Sequence, residues 1–166
     1  MAAKKRKKPY RPKRSSANFL LAKLPMPADV LKNYRSKTEK SLLRMRLNGI
    51  NVADSLACVI HFGTAWLAAD RMEETEGLRE LSGDLIEALG AASSSGGEFP
   101  AELFTRCTEA LDTTYAVLSH LTTAEYLAVT NSLRAAGTLP LVDKALALIE
   151  DSAKAGRIPS GTEIPV

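Results

Sequence analysis

Apolar positions recur along this chain at intervals of three and four, the spacing that puts side chains on one face of an α-helix. Leu31, Tyr34, Thr38, Leu42 and Met45 form one such stripe, which predicts a helix over 28–48 with Gly49 as its stop. Asn51 can cap a second helix, with Asp54 in its first turn, and the pattern runs to about Met72. Its broad apolar face, Val52, Leu56, Val59, Ile60, Gly63, Trp66 and Leu67, marks it as the central and most buried helix. A third helix is expected over 76–91, with Leu78, Leu81, Leu85, Ile86 and Leu89 inward; Gly83 inside it weakens the pattern.

Ser93-Ser94-Ser95-Gly96-Gly97 has the composition of a flexible connector. A fourth helix follows from about Phe99 to His120, with Pro100 in its first turn and Leu103, Phe104, Cys107, Leu111, Tyr115 and Leu118 on one face. Thr122 with Glu125 three residues later is a capping box, so a fifth helix begins there and ends at Gly137. Thr138 is positioned to cap a sixth over 139–153, in which Leu141, Val142, Leu146 and Ile149 are apolar, and Gly156 closes it. No strand-like alternation and no fixed-period repeat is visible. The expected fold is all-α: a small bundle of five to six helices over residues 19–156, joined by short connections that make chain neighbours spatial neighbours. Residues 157–166, with Pro159, Gly161 and Pro165, read as a flexible C-terminal tail.

Composition agrees with a folded helical body. Hydrophobic residues are 45% of 166 and aromatics only 5%, so Ala and Leu, both strong helix formers, carry the core. Charge changes the picture at the N-terminus. Residues 1–48 hold 15 Lys/Arg and 2 Asp/Glu, a net +13, whereas 49–166 hold 7 and 17, a net −10. Eight of the first 14 residues are Lys or Arg, interrupted by Pro9 and Pro12, so residues 1–18 are expected to form a disordered basic arm. Phe19 to Leu24 is a short apolar patch expected to dock on the body.

Dense cationic arms bind phosphates by releasing counterions and read little base sequence. Lys4, Lys5, Arg6, Lys7, Lys8, Arg11, Lys13 and Arg14 supply the charge, Tyr10 can stack on a base, and Lys37, Lys40 and Arg44 extend the cationic stripe along the first helix. The expected partner is therefore nucleic acid, bound non-specifically, with an acidic host protein surface as the alternative. The arm also has its own acidic body to lie against. The helical body would orient the arm or form a homodimer.

The candidate chemistry is thin. Cys58-x-x-His61 puts two metal-ligating side chains on one helix face, but Cys107 and His120, 13 residues apart, are separated by about 20 Å on a continuous helix, so the four do not converge on zinc. Both cysteines sit in apolar patterns and read as buried free thiols. A Cys58–His61 catalytic pair has only Asp54 to orient it. No phosphate loop, nucleophile elbow or His-Glu-x-x-His occurs, so neither an enzyme nor a cofactor is expected. The fifth and sixth helices have helix-turn-helix spacing, but the second of them carries Asp143, Glu150 and Asp151 against Lys144 and Lys154, the wrong charge for a recognition helix. No apolar run reaches the roughly 20 residues of a membrane span, and the basic start lacks a signal peptide's apolar stretch, which points to the cytoplasm.

Lys7-Lys8-Pro9-Tyr10-Arg11-Pro12-Lys13 followed by an Ala/Leu-rich helical body resembles small uncharacterised proteins of bacteriophages and prophages. The resemblance implies a bacterial cytoplasm and an accessory role, such as regulating replication or blocking a host system. It transfers no site residue.

Overall fold

The computed structural model describes residues 23–72, 76–135, 137 and 139–161. The described residues form six helices and no strand: α1 (Ala28–Asn48), α2 (Val52–Ala69), α3 (Glu76–Ser95), α4 (Ala101–Ser119), α5 (Thr123–Arg134) and α6 (Pro140–Lys154). The basic arm and residues 162–166 of the expected tail lie outside them.

α2 is the hub, packing against each of the other five helices. Its composition suits that position. It is apolar enough to pass for a membrane span by length and hydropathy, the single such helix among the described residues, and most of it is buried inside the bundle. Asn51 caps it by accepting the Asp54 N–H at 2.9 Å. α1 runs antiparallel to α2. From one end to the other, Arg44 meets Asp54, Met45 meets Ser55, Thr38 meets His61 and Tyr34 meets Thr64. α3 returns antiparallel on another side of α2, with Trp66 beside Gly83 and Ser55 bonded to Ser93.

The main core joins Leu42 and Met45 of α1 to Phe62 of α2, Leu85, Ile86 and Leu89 of α3, Leu111 of α4 and Ile149 of α6, all at most 1% exposed. α3 and α6 approach closely at Gly90, where a β-carbon would stand 3.1 Å from the Ala145 Cα. A side chain at 90 would push the two helices apart, so glycine here is a packing choice, offsetting its roughly 1 kcal/mol propensity cost in a helix. A second, smaller core at one end of the bundle gathers Met26, Leu31, Ala68, Leu118 and Leu121.

Several boundaries differ from the sequence expectation. α3 runs on to Ser95, so Ser93–Ser95 are helical, and Ser93 is buried with its hydroxyl donating to Ser55 Oγ at 3.2 Å. A polar triplet followed by two glycines looks like a linker, but a serine that finds a buried acceptor behaves as core. α2 stops at Ala69 and α5 at Arg134, both short of the expected ends. Pro100 is the N-cap of α4, not a first-turn residue, while Phe99 before it enters the core. α6 takes Leu139 as N-cap and Pro140 as its first residue, with no side-chain cap; Thr138, the expected cap, lies outside the described residues.

The short α4–α5 and α5–α6 connections do not make packed pairs. α5 finds its partner in α2, and α6 packs chiefly on α3 and also on α2. Nor is the C-terminal segment a free tail over its described length. Ile158 is buried in the main core, and the Pro159 and Ser160 carbonyls accept the N–H groups of Val52 and Ala53 at 2.9 and 3.1 Å. These are orphan donors of the first turn of α2, so residues 157–161 complete that helix. At the other terminus, the segment before α1 docks by backbone: Met26 N–H donates to Leu121 O at 3.1 Å and Leu24 O accepts from Thr123 N–H at 2.9 Å.

Candidate nucleic-acid interface

Of the twelve residues the sequence nominates for contact, nine lie outside the described residues: Lys4, Lys5, Arg6, Lys7, Lys8, Tyr10, Arg11, Lys13 and Arg14. The other three share one side of α1, as their spacing requires, but not one role. Lys37 and Lys40 are exposed and make no ion pair among the described residues. Arg44 is turned inward. Its Nε donates to both carboxylate oxygens of Asp54, at 3.0 and 3.1 Å, and its Nη2 donates to Asp54 and to Ser41 Oγ.

Asp54 is 4% exposed and also accepts from Asn51 Nδ2 at 2.8 Å. Burial alone would raise its pKa, but the hydrogen bonds from Arg44, Asn51 and Ser41 outweigh this and hold the carboxyl below the usual carboxylate range. A guanidinium fixed in this way stabilises the α1–α2 junction and has little left to offer a phosphate. The cationic stripe on α1 is therefore narrower than spacing suggests. It consists of Lys37 and Lys40, with Lys32 and Arg46 exposed nearby on the same helix. Arg35 is engaged with Glu39 and Asp112. Two leucines stand out on this outer face, Leu43 at 51% and Leu47 at 72% exposed.

The motifs considered for catalysis or metal lead inward. His61 is 1% exposed. Its Nδ1 lies 3.1 Å from Thr38 Oγ1 and its Nε2 2.9 Å from Thr114 Oγ1, so the ring bridges α1, α2 and α4. It stacks on Tyr34 at 5.0 Å between centroids and meets Phe62 edge-on. Burial pushes its pKa down to about 4. The neutral ring has one donor and one acceptor nitrogen, so one threonine accepts and the other turns its hydroxyl proton to the ring.

Cys58 and Cys107 are both fully buried free thiols, and burial raises both pKa values, that of Cys107 to about 12. A buried thiol held protonated beside a histidine already bonded at both nitrogens is not arranged as a nucleophile with its base. His120 is exposed at the far end of α4, and no group of three or more His, Cys, Asp and Glu gathers among the described residues.

From the sequence, His61 stands out only in the Cys58-x-x-His61 spacing, as a candidate zinc ligand or catalytic partner of Cys58. The signal that could have found its network is a pair of hydroxyl residues at inward spacing, Thr38 within the α1 stripe and Thr114 three residues after Leu111 on α4. Two cavities of about 470 and 450 Å³ flank the docked segment 157–161. Arg46 and Arg157 line the first together with Glu98, and Arg44 and Asp54 line the second.

Compared with family models, with curated proteins and with solved structures, the chain matches none.

Proposed function

We propose that this protein is a non-enzymatic accessory protein of a phage or mobile element that binds nucleic acid through its N-terminal arm, with the helical body orienting the arm. The observation that carries this reading is the segregation of charge: +13 over residues 1–48 against −10 over the rest. A neutral or mixed surface needs no such division, whereas a polyanion partner favours it. Lys37 and Lys40, exposed on α1, give the arm's field a continuation on the folded body. The inward placement of Cys58 and His61 supports a binding role over a catalytic one.

The test is a salt titration of the full-length protein against two unrelated duplexes and a single strand. Affinity should fall log-linearly, by roughly 0.7–0.9 log units per phosphate contact for each tenfold rise in salt. The two duplexes should behave alike, since phosphate contacts carry no base information. Changing the arm's eight cations to glutamine should nearly abolish binding, and adding Lys37→Glu with Lys40→Glu should remove the remainder. No binding to any of the three at about 50 mM salt, where screening is weak, would overturn the reading.

A second reading rests on a different observation. Leu43 and Leu47 are large apolar side chains left in water on α1. An adaptor or inhibitor that grips a host protein would use such a ridge, with the arm steering it to an acidic surface. Co-purification that survives nuclease and is lost in Leu43→Ser with Leu47→Ser favours this alternative.

A further inference from the structure

The acidic body carries a carboxylate-rimmed groove on α3. On α3, Glu80, Asp84 and Glu87 fall at helical spacing and are all exposed. Between them Gly83 leaves a gap in the side-chain wall, and below it lies a groove of about 400 Å³ floored by Trp66 of α2 and Leu141 of α6, with Arg79 of α3 also in its lining. None of the three carboxylates has a cationic partner among the described residues. Some other acidic groups are engaged, Asp70 by Arg79, Asp112 by Arg35 and Glu150 by Lys154, while Glu102 and Glu109 are exposed on α4. Arg79, which also pairs with Asp70, already lies on the indole with its Cζ 4.9 Å from the ring centroid, so an incoming cation would meet the carboxylate rim and the uncovered part of the ring. An aromatic floor under a carboxylate rim is the combination that holds Lys and Arg side chains, by ion pairing above and cation–π contact below.

We propose that this groove is the docking site of the chain's own basic arm, residues 1–18, and that the docked arm is withheld from polyanions. Charge complementarity is direct: the arm has eight cations and no acidic residue, facing three unpaired carboxylates. Position agrees. The described chain begins at the end of the bundle where Met26 packs against Ala68, in the same last turn of α2 as Trp66. Arg14 is nine residues from Lys23, a reach of about 30 Å in extended chain, while α2 from end to end is only about 27 Å. The remaining arm cations extend that reach along the length of α3. Polyanion and groove then compete for one set of cations, a consequence that rests on the nucleic-acid reading above; the docking itself does not.

The experiment uses the full chain. A zero-length carbodiimide coupler joins lysine amines to carboxylates in contact, and the links are mapped by mass spectrometry, with a mixture of isotope-labelled and unlabelled protein separating links within one chain from links between copies. Links from the arm lysines should concentrate on Glu80, Asp84 and Glu87 within one chain, and should disappear as salt rises to about 1 M, where the screening length is about 3 Å. Trp66 is the chain's single tryptophan, so its emission should shift over the same salt range. In the variant E80Q/D84N/E87Q the emission should be insensitive to salt, with the helical circular dichroism unchanged because all three side chains are exposed. Links spread equally over Glu102 and Glu109 of α4, or found only between copies, would overturn the proposal. The same variant should bind a single strand roughly three- to tenfold more tightly than the parent, the scale of three exposed ion pairs. Unchanged affinity with the links intact would overturn the withholding and leave the docking. Failure of the parent and variant alike to bind any strand would overturn the nucleic-acid reading and the withholding with it, while the links still decide the docking.

Discussion

The two sides of α2 solve the problem of burial differently. Toward α3 and α6 the contacts are apolar and close: Phe62, Leu85, Ile86, Leu89 and Ile149 interlock, and Gly90 lets α3 approach α6. Toward α1 and α4 a polar network is added to the apolar packing of Leu42, Met45 and Leu111: Asp54 with Arg44, His61 with Thr38 and Thr114, Thr64 with Tyr34. The first side gains stability in proportion to area and is indifferent to pH. The polar network of the second gains little net stability, because each hydrogen bond replaces one made to water. What it adds is register. Sliding α1 by one turn along α2 would leave several buried donors and acceptors unpaired at once, at about 1–3 kcal/mol each. The bundle is thus held together by apolar packing around α2 and held in alignment by the polar network toward α1 and α4.

The largest expected effect breaks the apolar side. Phe62→Ala removes a ring with no exposed surface from the centre of the main core, and should cost about 3–5 kcal/mol in urea unfolding at neutral pH. A loss below about 1 kcal/mol would show that this side is not the source of stability.

The next effect sharpens the polar side. The folded-state pKa of His61, about 4, lies below the ordinary 6.5, so the unfolded chain binds the extra proton first as pH falls. Its contribution is fully present above pH 6.5 and is lost progressively down to about pH 4, reaching about 2.5 kcal/mol at pH 4.5. In His61→Leu the two threonine hydroxyls keep the carbonyls of Tyr34 and Leu111 as acceptors, so this part of the pH dependence should vanish without orphaned groups. Comparing the urea midpoints of parent and variant at pH 7 and 4.5 isolates the effect from the carboxylates. Equal losses in the two proteins would remove His61 from the account.

The smallest effect tests the rim of the same side. Arg44→Ala leaves the Asp54 carboxylate buried beside Asn51 and Ser41, and should destabilise by about 1–2 kcal/mol, discounted because Arg44 is itself a third exposed. Its effect on nucleic-acid affinity should be smaller than that of Lys37→Glu or Lys40→Glu, since its charge is already paired. The reverse order would restore Arg44 to the contact surface.

What could be read from the residues follows from how local each signal is. The periodicity of Leu31, Thr38, Leu42 and Met45, the Asn51 cap and the Thr122–Glu125 box depend on neighbours within one or two turns, and all appear in the fold as expected. Spacing alone puts Trp66 in the core, yet it is half-buried, because Gly83 opposite it leaves the groove open; Ile60, on the same expected face, is 45% exposed. The candidate contact residues divide the same way. That Lys37, Lys40 and Arg44 share a side of α1 is a matter of 3.6 residues per turn.

The sequence by itself determined the helices, the centrality of α2 and the division of charge, because propensity, capping and helical period act over a few residues. Only the tertiary structure decided that Arg44 belongs to Asp54, that Ser93 and Ile158 are core, and that His61 joins three helices. Those outcomes depend on residues 10 to 100 positions apart meeting in space, and no local pattern states which distant carboxylate, hydroxyl or carbonyl will arrive to satisfy a buried group.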